Sequence, residues 1–418
     1  MRLLIIHQNL PGQYKHLLLF YGSQPGTQVV GLGEMRRLKE NIGQPIPGVR
    51  LVGYEVPTDP PIGYGLLSPT EAAVRRGQAV LGSLLALKKA GFYPDVVYAH
   101  PGWGETLFLK DVFPNARLIH FCEFYYHTAG QDFNFDPEYP SAAEDVLKLR
   151  TRNLHHLMAL EQADLGIAPT FWQKSRFPEA YASKISVVHD GVDTAAVAPD
   201  PEAFIRFPGR DLVLRRQDEV VTFVSRNLEP YRGFHTFMRA VPKILKERPN
   251  ARIIVVGGDG VSYGRRLSQG TYKERYLAEI EGKYDLSRVH FVGKISYETF
   301  LRVLQISSAH IYLTYPFVLS WSMMEAMSAG CVVIGSRTAP VEEVIRHGDN
   351  GLLVDFFSSE ELANAVAEAL GDPVRMLQIR QRARQTIVDR YDLHGVCLPH
   401  QRKLIESPLS VPVARAGT

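Results

Sequence analysis

The sequence predicts an α/β protein with more than one domain, each a parallel sheet flanked by helices. Three observations predict it. Short apolar, β-branched runs alternate with helical patterns along the chain. Several of those runs end directly in glycine turns, as at Pro11-Gly12, Pro101-Gly102-Trp103-Gly104 and Gly257-Gly258-Asp259-Gly260, the way doubly wound α/β units open. The stretch Ala309–Ser336 writes out a βαβ unit almost without linkers. A buried strand over His310–Tyr315 is followed by Ser320 as N-cap, an apolar helix over Trp321–Ala329, Gly330 past its end and a second buried strand over Cys331–Ser336. At 418 residues the length favours two or three domains, each large enough for its own core.

The first half opens with an apolar strand, Arg2–Asn9, ending in His7-Gln8-Asn9. The turn Pro11-Gly12-Gln13-Tyr14 and a helix from Lys15 to Phe20 follow. The turn lacks G-x-G-x-x-G, which argues against a nicotinamide site. Strands are expected at Val29–Leu32 and Val49–Val56, then a proline-rich loop at Pro57–Pro61 and a helix over Thr70–Ala90. Asp95–His100 and Arg117–Glu123 are the next strands. The second runs into Phe124-Tyr125-Tyr126-His127 and a loop carrying Phe133, Phe135 and Tyr139 among acidic residues. Aromatic faces with a few carboxylates suit sugar stacking and hydroxyl bonding. The loop is either part of an acceptor site or an ordinary loop pinned by aromatic packing. One long helix is expected over Ala143–Ala163, a strand over Leu165–Pro169, a helix capped by Thr170 and a last strand over Ile185–Val188. Residues 196–217 lack periodicity, contain Pro199, Pro201 and Pro208, and read as a linker.

The second half begins with a strand, Val220–Ser225, then Arg226-Asn227-Leu228-Glu229-Pro230-Tyr231-Arg232-Gly233 and a helix over Phe234–Glu247. Two cations at a strand's carboxyl end and a helix N-terminus make an anion site on physical grounds. The alternative is two arginines on a solvated loop. Ile253–Val256 leads into the glycine turn at 257–260, and Val289–Val292 into Gly293-Lys294-Ile295. Within the helix of the βαβ unit, Glu325 does not suit the burial expected from Met323, Met324, Ala326 and Met327. A carboxylate there is costly without partners. It lies about one turn inside the helix, at the sheet edge where doubly wound folds bind ligands. It serves either a nucleotide, accepting bonds from ribose hydroxyls while the helix N-terminus meets phosphate, or a structural bond to neighbouring backbone. Glu360–Ala369, Met376–Val388 and Leu398–Glu406 read as helices, and Ser407–Thr418 as a fraying end.

The stretch around Glu325 resembles the family 4 retaining glycosyltransferases of the GT-B fold. Their motif sets one Glu eight positions before another. Ala-Met-x-x-Gly, a Val-Val-x-x-Ser strand, Pro-Glu and Asn-Gly-Leu-Leu-Val then follow. This chain has Glu325-Ala326-Met327-Ser328-Ala329-Gly330, Val332-Val333-Ile334-Gly335-Ser336, Pro340 with Glu342 and Glu343, and Asn350-Gly351-Leu352-Leu353-Val354. The position eight before Glu325 is Phe317 instead of Glu. His189-Asp190-Gly191-Val192-Asp193 resembles the family's turn at the exit from the first domain. Arg226 and Arg232 stand where the family has the Arg and Lys that grip a diphosphate.

The resemblance implies two Rossmann-like domains facing a cleft. Residues 1–195 form the acceptor side, 196–217 a linker, 218–395 the nucleotide-sugar side, and 396–418 a tail helix crossing back to the first domain. It implies sugar transfer with retention from a nucleoside-diphosphate sugar, a substrate with no cofactor beside it, to a hydroxyl of a glycan or lipid-linked glycan. Arg226 and Arg232 are expected to stabilise the leaving group. Gly12 either faces the diphosphate or serves only its turn, and Gly293, Lys294 and Ile295 hold the base through backbone groups. Ser320, Ser322 and Glu325 contact the nucleotide. Phe317, standing where the family's Glu bonds the donor sugar, either packs against an apolar part of that sugar or fills the core. For the His that the family places after the strand at Arg117–Glu123, the candidates are His120, Glu123 and His127. Strand alternation points His120 and Glu123 to opposite faces, and Glu123 is nearest the strand end. Many members extend lipid-linked glycans. Arg75, Arg76, Lys88 and Lys89 therefore form either a solvated face or a basic surface toward an anionic lipid carrier.

Composition narrows the remaining classes. A net charge of +3 does not argue for nucleic acid as a partner. Cys122, Cys331 and Cys397 are widely spaced with no C-x-x-C pair, which fits reduced thiols in a cytoplasmic protein better than a disulfide frame or zinc site. No run approaches transmembrane length, and a strand begins at Leu3, so no signal peptide is expected. The expected location is the cytoplasm, with peripheral contact at the inner face of the membrane if the acceptor is lipid-linked. No Asp-x-Asp motif, the metal grip of the other major glycosyltransferase fold, occurs in the chain, so no bound metal is expected. Two rivals stay open. One is a catalytically inactive partner subunit that binds nucleotide-sugar or glycan, motivated by Phe317. The other is a GT-B sugar-nucleotide epimerase, against which the run from Glu325 to Val354 argues.

Overall fold

The computed structural model describes residues 1–56, 63–207 and 212–407. The proline-rich loop expected at Pro57–Pro61, Pro208 and the fraying end beyond Ser407 lie outside the described residues. The chain divides into two units, Met1–Asp190 with the segment from Cys397, and Gly191–Val396.

The first unit is built on β1 (Arg2–Ile6), β2 (Gln28–Glu34), β3 (Val49–Tyr54), β4 (Val96–Ala99), β5 (Arg117–Phe121), β6 (Leu165–Ala168) and β7 (Ile185–Val187). They form one parallel sheet in the order β3-β2-β1-β4-β5-β6-β7. Alternate residues of β1 feed two cores. Leu4 and Ile6 pack with Val80, Leu84 and Leu109 on one face, and Leu3 and Ile5 with Tyr14, Leu17 and Leu18 on the other. Burial on both faces is why these strands read as continuous apolar runs. The helix Leu398–Glu406 belongs to this unit: Ile405 joins the second core, and Gln401 donates to the His189 carbonyl.

Two expectations for this half need correcting. The helix expected over Ala143–Ala163 is two helices, Ala143–Arg152 and Leu154–Gln162. Between them Asn153 accepts from the Tyr126 amide (3.2 Å) and donates to the Tyr126 carbonyl (2.8 Å). Those bonds trade helix continuity for an anchor on the aromatic loop. The basic face of Ser68–Lys89 is largely engaged within the protein. Arg75 pairs with Glu71, Arg76 with Glu34, and Lys88 donates to the Val112 carbonyl.

In the second unit, β8 (Phe204–Arg206) and β9 (Val213–Arg215) form an antiparallel pair within residues 196–217. The segment is therefore part of this unit's core and not a bare linker: Ala203, Phe207 and Leu214 pack with Val220, Ile254 and Ile306. Strands of three residues are too short to show alternation in sequence. The main sheet comprises β10 (Val220–Asn227), β11 (Arg252–Gly258), β12 (Val289–Gly293), β13 (Ala309–Tyr312), β14 (Val332–Ser336) and β15 (Leu352–Val354). It is parallel throughout, ordered β12-β11-β10-β13-β14-β15. The helix Trp321–Ser328 lies between β13 and β14 with Met323, Met324, Ala326 and Met327 fully buried. Two further helices, Tyr272–Glu279 and Tyr297–Ile306, carry legible start signals that the periodicity did not raise. Thr271 and Glu274 form a capping box, and the Ser296 hydroxyl accepts from the Thr299 amide.

Candidate functional site

Both sheets share one topological feature. The chain runs outward from the central strand, then returns to its other side, so neighbouring strands β10 and β13 diverge in their onward connections. β1 and β4 do the same in the first unit. The carboxyl edge at such a switch point is where open α/β sheets bind ligands.

In the second unit that edge holds a cavity. Ser225, Arg226 and Asn227 of β10, Tyr312 of β13, Tyr263, Arg232 and Ser320 line it. Arg226 is exposed, and its guanidinium has no hydrogen-bond or ion-pair partner among the described residues. Arg232 is different. It is only 9% exposed and donates to the Thr314 hydroxyl at 2.6 Å, the Tyr312 hydroxyl at 3.2 Å and the Val318 carbonyl at 3.3 Å. The guanidinium also lies 5.4 Å from the Tyr263 ring centroid. Arg232 thus braces the loop leading to Ser320 while adding positive charge to the cavity wall. Gly233 after it has φ +68°, and a Cβ there would lie 2.3 Å from that of Leu313, so only glycine lets the turn close onto β13.

Glu229 went unnoticed in the sequence. It is buried, and its carboxylate accepts from the amides of Ser262, Tyr263 and Gly264 at 2.8–3.3 Å. This pins the loop after β11 and sets Tyr263 against the cavity. An acid set between Arg226 and Arg232 was the available signal.

Ser320 caps Trp321–Ser328: its hydroxyl accepts from the Ser322 amide at 3.3 Å and lies 2.9 Å from the Ser322 hydroxyl. Glu325 is half-buried, and burial raises its pKa above the usual carboxylate range. Its partner is a side chain rather than the neighbouring backbone: the Tyr297 hydroxyl donates to Oε1 at 2.6 Å. Gly293 has φ +67°, as its turn requires. Lys294 is exposed, and its Cε lies across Gly258, 2.7 Å from where a Cβ would stand. The Ile295 side chain packs against the core that contains Val220 and Ile254. Phe317 is 9% exposed, its ring 5.2 Å from Tyr231 and 5.1 Å from Tyr263. It belongs to an aromatic cluster that also holds Tyr315, 4.7 Å from Tyr231.

In the first unit, His7, His100 and Glu123 follow the ends of β1, β4 and β5. The His100 Nδ1 accepts from the Gly102 amide at 3.0 Å, which leaves Nε2 to donate to Glu123 Oε2 at 3.1 Å. Gln13 donates to the other carboxylate oxygen at 3.2 Å. Trp103 stacks on His100 with ring centroids 4.4 Å apart. His7 is buried, and burial with the neighbouring His100 holds its pKa well below the usual range. Gly12, φ +45°, lies over the His7 ring, where a Cβ would meet Cε1 at 2.9 Å.

Of the candidates for the family histidine, His120 is fully buried within β5, its pKa pushed down to about 3 by burial. His127 is tied to the Arg176 carbonyl at 2.6 Å. Glu123 alone among the three meets this cluster, through His100, whose place at the end of a strand gives no local sign of the contact. The aromatic loop is pinned from within. Phe124 and Tyr125 are buried, and Gln131 accepts from the His127 amide and donates to the Tyr125 carbonyl.

The comparisons with known proteins match both halves. A family model described as "Glycosyl transferase family 4 group" matches residues 25–197, and one described as "Glycosyl transferases group 1" matches residues 210–386. The D-inositol 3-phosphate glycosyltransferase of Corynebacterium glutamicum is 29% identical over 49% of this chain and 48% of its own length. That of Corynebacterium urealyticum is 24% identical over 82% and 77%. A GDP-mannose-dependent alpha-(1-6)-phosphatidylinositol monomannoside mannosyltransferase of Mycobacterium tuberculosis is 28% identical over 53% and 56%. The chain spans about half the length of most of these curated relatives. Among solved structures, sucrose-phosphate synthase from Thermosynechococcus elongatus superposes with a TM-score of 0.72 at 18% identity, covering 97% of this chain and 98% of that one. Anabaena HepE in complex with UDP-glucose gives 0.64 at 17% identity, covering 97% and 99%. With two parallel sheets and family models matching each half, the chain belongs to the family 4 glycosyltransferases of the GT-B fold.

Proposed function

We propose that the chain is a retaining glycosyltransferase. It moves a sugar from a nucleoside-diphosphate sugar to a hydroxyl of a glycan or lipid-linked glycan, without a metal. The observation that carries this is Arg226, an exposed and unpartnered guanidinium at the cavity on the β10/β13 switch point, beside the buried charge of Arg232. As the bond from the anomeric carbon to the diphosphate oxygen breaks, negative charge grows on the leaving group. Arg226 offers its fork of N–H donors to that charge. Arg232 adds field from the wall and keeps the loop to Ser320 in place, and the N-terminus of Trp321–Ser328 adds its dipole. Glu325 accepts ribose hydroxyls, and Gly293, Lys294 and Ile295 flank the base. In the first unit, Glu123, oriented by His100 and Gln13, serves the sugar hydroxyls.

The family membership supports this reading, as do relatives and neighbours whose names include GDP-mannose and UDP-glucose. The same reading places the enzyme in the cytoplasm, touching the inner membrane face if its acceptor is lipid-linked. Among the described residues no helix is long and apolar enough to cross a membrane. The test is a panel of UDP-, GDP- and ADP-sugars, screened by thermal shift and then by hydrolysis and transfer in excess EDTA. Activity in EDTA is expected; a strict requirement for manganese or magnesium refutes the cation account. Phe317, packed among aromatics where the family has a Glu, favours a second reading, an inactive partner subunit that binds nucleotide-sugar or glycan. Binding without hydrolysis or transfer for any donor would select it.

A further inference from the structure

Glu325 and Tyr297 come from different helices. Tyr297 opens Tyr297–Ile306, directly after the turn Gly293-Lys294-Ile295, with Ser296 as its N-cap. Glu325 lies near the start of Trp321–Ser328, which packs against that helix. The hydroxyl of Tyr297 meets Oε1 of Glu325 at 2.6 Å. The other oxygen, Oε2, has no partner among the described residues and is not enclosed. Tyr297 is 58% exposed and its ring touches Phe300 at 5.8 Å between centroids, so it contributes little to the core.

We propose that Tyr297 is a positioning residue for the ribose of the nucleotide: it holds one oxygen of Glu325 and leaves the other free for a vicinal diol. This rests on the donor-site reading above. A lone carboxylate on a flexible side chain samples several rotamers, and a hydroxyl fixed at a helix start removes that freedom before the ligand arrives. The ionised carboxylate only accepts, so Oε2 selects a partner that donates, such as a ribose hydroxyl. Loss of that hydroxyl leaves a half-buried acceptor unpaired, which is how such a site discriminates. Tyr297 thereby ties the segment beside the base to the group that reads the sugar.

The test uses the full chain and isothermal titration. Whichever of UDP, GDP or ADP binds the wild type best is compared with its 2′-deoxy counterpart, on wild type, Tyr297→Phe and Glu325→Gln. The wild type should prefer the ribonucleotide by about tenfold. Tyr297→Phe should reduce that preference to about twofold, with deoxynucleotide affinity and melting temperature unchanged. An unchanged preference in Tyr297→Phe overturns the positioning role and leaves the donor site standing. Equal loss of both ligands together with a lower melting temperature also overturns it, as a structural role. A wild type that binds diphosphate but does not discriminate refutes the ribose contact. No binding of any diphosphate refutes the donor-site reading and this inference together.

Discussion

Arg226→Ala should lower turnover by about 10²–10³-fold, the cost of removing one preorganised donor to transition-state charge. Affinity for the free nucleoside diphosphate should fall by about 1–2 kcal/mol, or about 5–30-fold. Stability should stay within about 0.5 kcal/mol, because the side chain is exposed and has no partner among the described residues. Arg232→Ala is the control that behaves differently. It strips a donor from the buried hydroxyls of Tyr312 and Thr314 and from the Val318 carbonyl. Leaving such groups short of a donor costs about 2–4 kcal/mol, so Arg232→Ala should lose both turnover and several degrees of melting temperature. The assay is steady-state transfer with the identified donor, beside calorimetric titration of the diphosphate and thermal melting of each variant. If Arg226→Ala keeps full turnover and full diphosphate affinity, Arg226 is a solvated loop residue and the anion site is wrong.

Three further outcomes are expected. Glu325→Gln should weaken nucleotide binding by roughly 1.5–3 kcal/mol; normal binding in a protein that only melts earlier would make Glu325 structural. Phe317→Ala should leave diphosphate affinity within a few-fold while cutting transfer at least roughly tenfold, and its aromatic packing adds about 3 kcal/mol of lost stability. Joint loss of nucleotide affinity and stability would mark it as a core residue alone. Burial lowers His120 and His310 to about 3, far below the unfolded value. The unfolded chain therefore binds more protons below about pH 6.5. Stability is full above that pH and should fall as pH drops toward 3, by up to about 1.4 kcal/mol per pH unit for each His. Melting temperatures flat from pH 7 to 4.5 would contradict this.

The individual elements differ in how far they were legible. Phe234–Glu247 and Leu398–Glu406 match their expected bounds to the residue, because their starts carry local marks, Gly233 with φ +68° before the first and Pro399 in the first turn of the second. Asn153 divides an expected helix through bonds to Tyr126, 27 positions away. The βαβ unit around Ala309–Ser336 was legible because both strands are buried on two faces, which leaves a continuous apolar run. Residues 196–217 hid their short strands behind prolines.

The sequence by itself determined the α/β alternation, the parallel character of both sheets, and the placing of Arg226, Ser320 and Glu325 at strand and helix ends. Each depends on composition within a few residues. Only the tertiary structure decided the partners: Tyr297 for Glu325, His100 and Gln13 for Glu123, Glu229 for the loop at 262–264, and a buried rather than open setting for Arg232. The physical reason is the strand order. A doubly wound sheet places β10 against β13 and β1 against β4, so side chains separated by dozens of residues share one edge, and no local pattern records which of them meet.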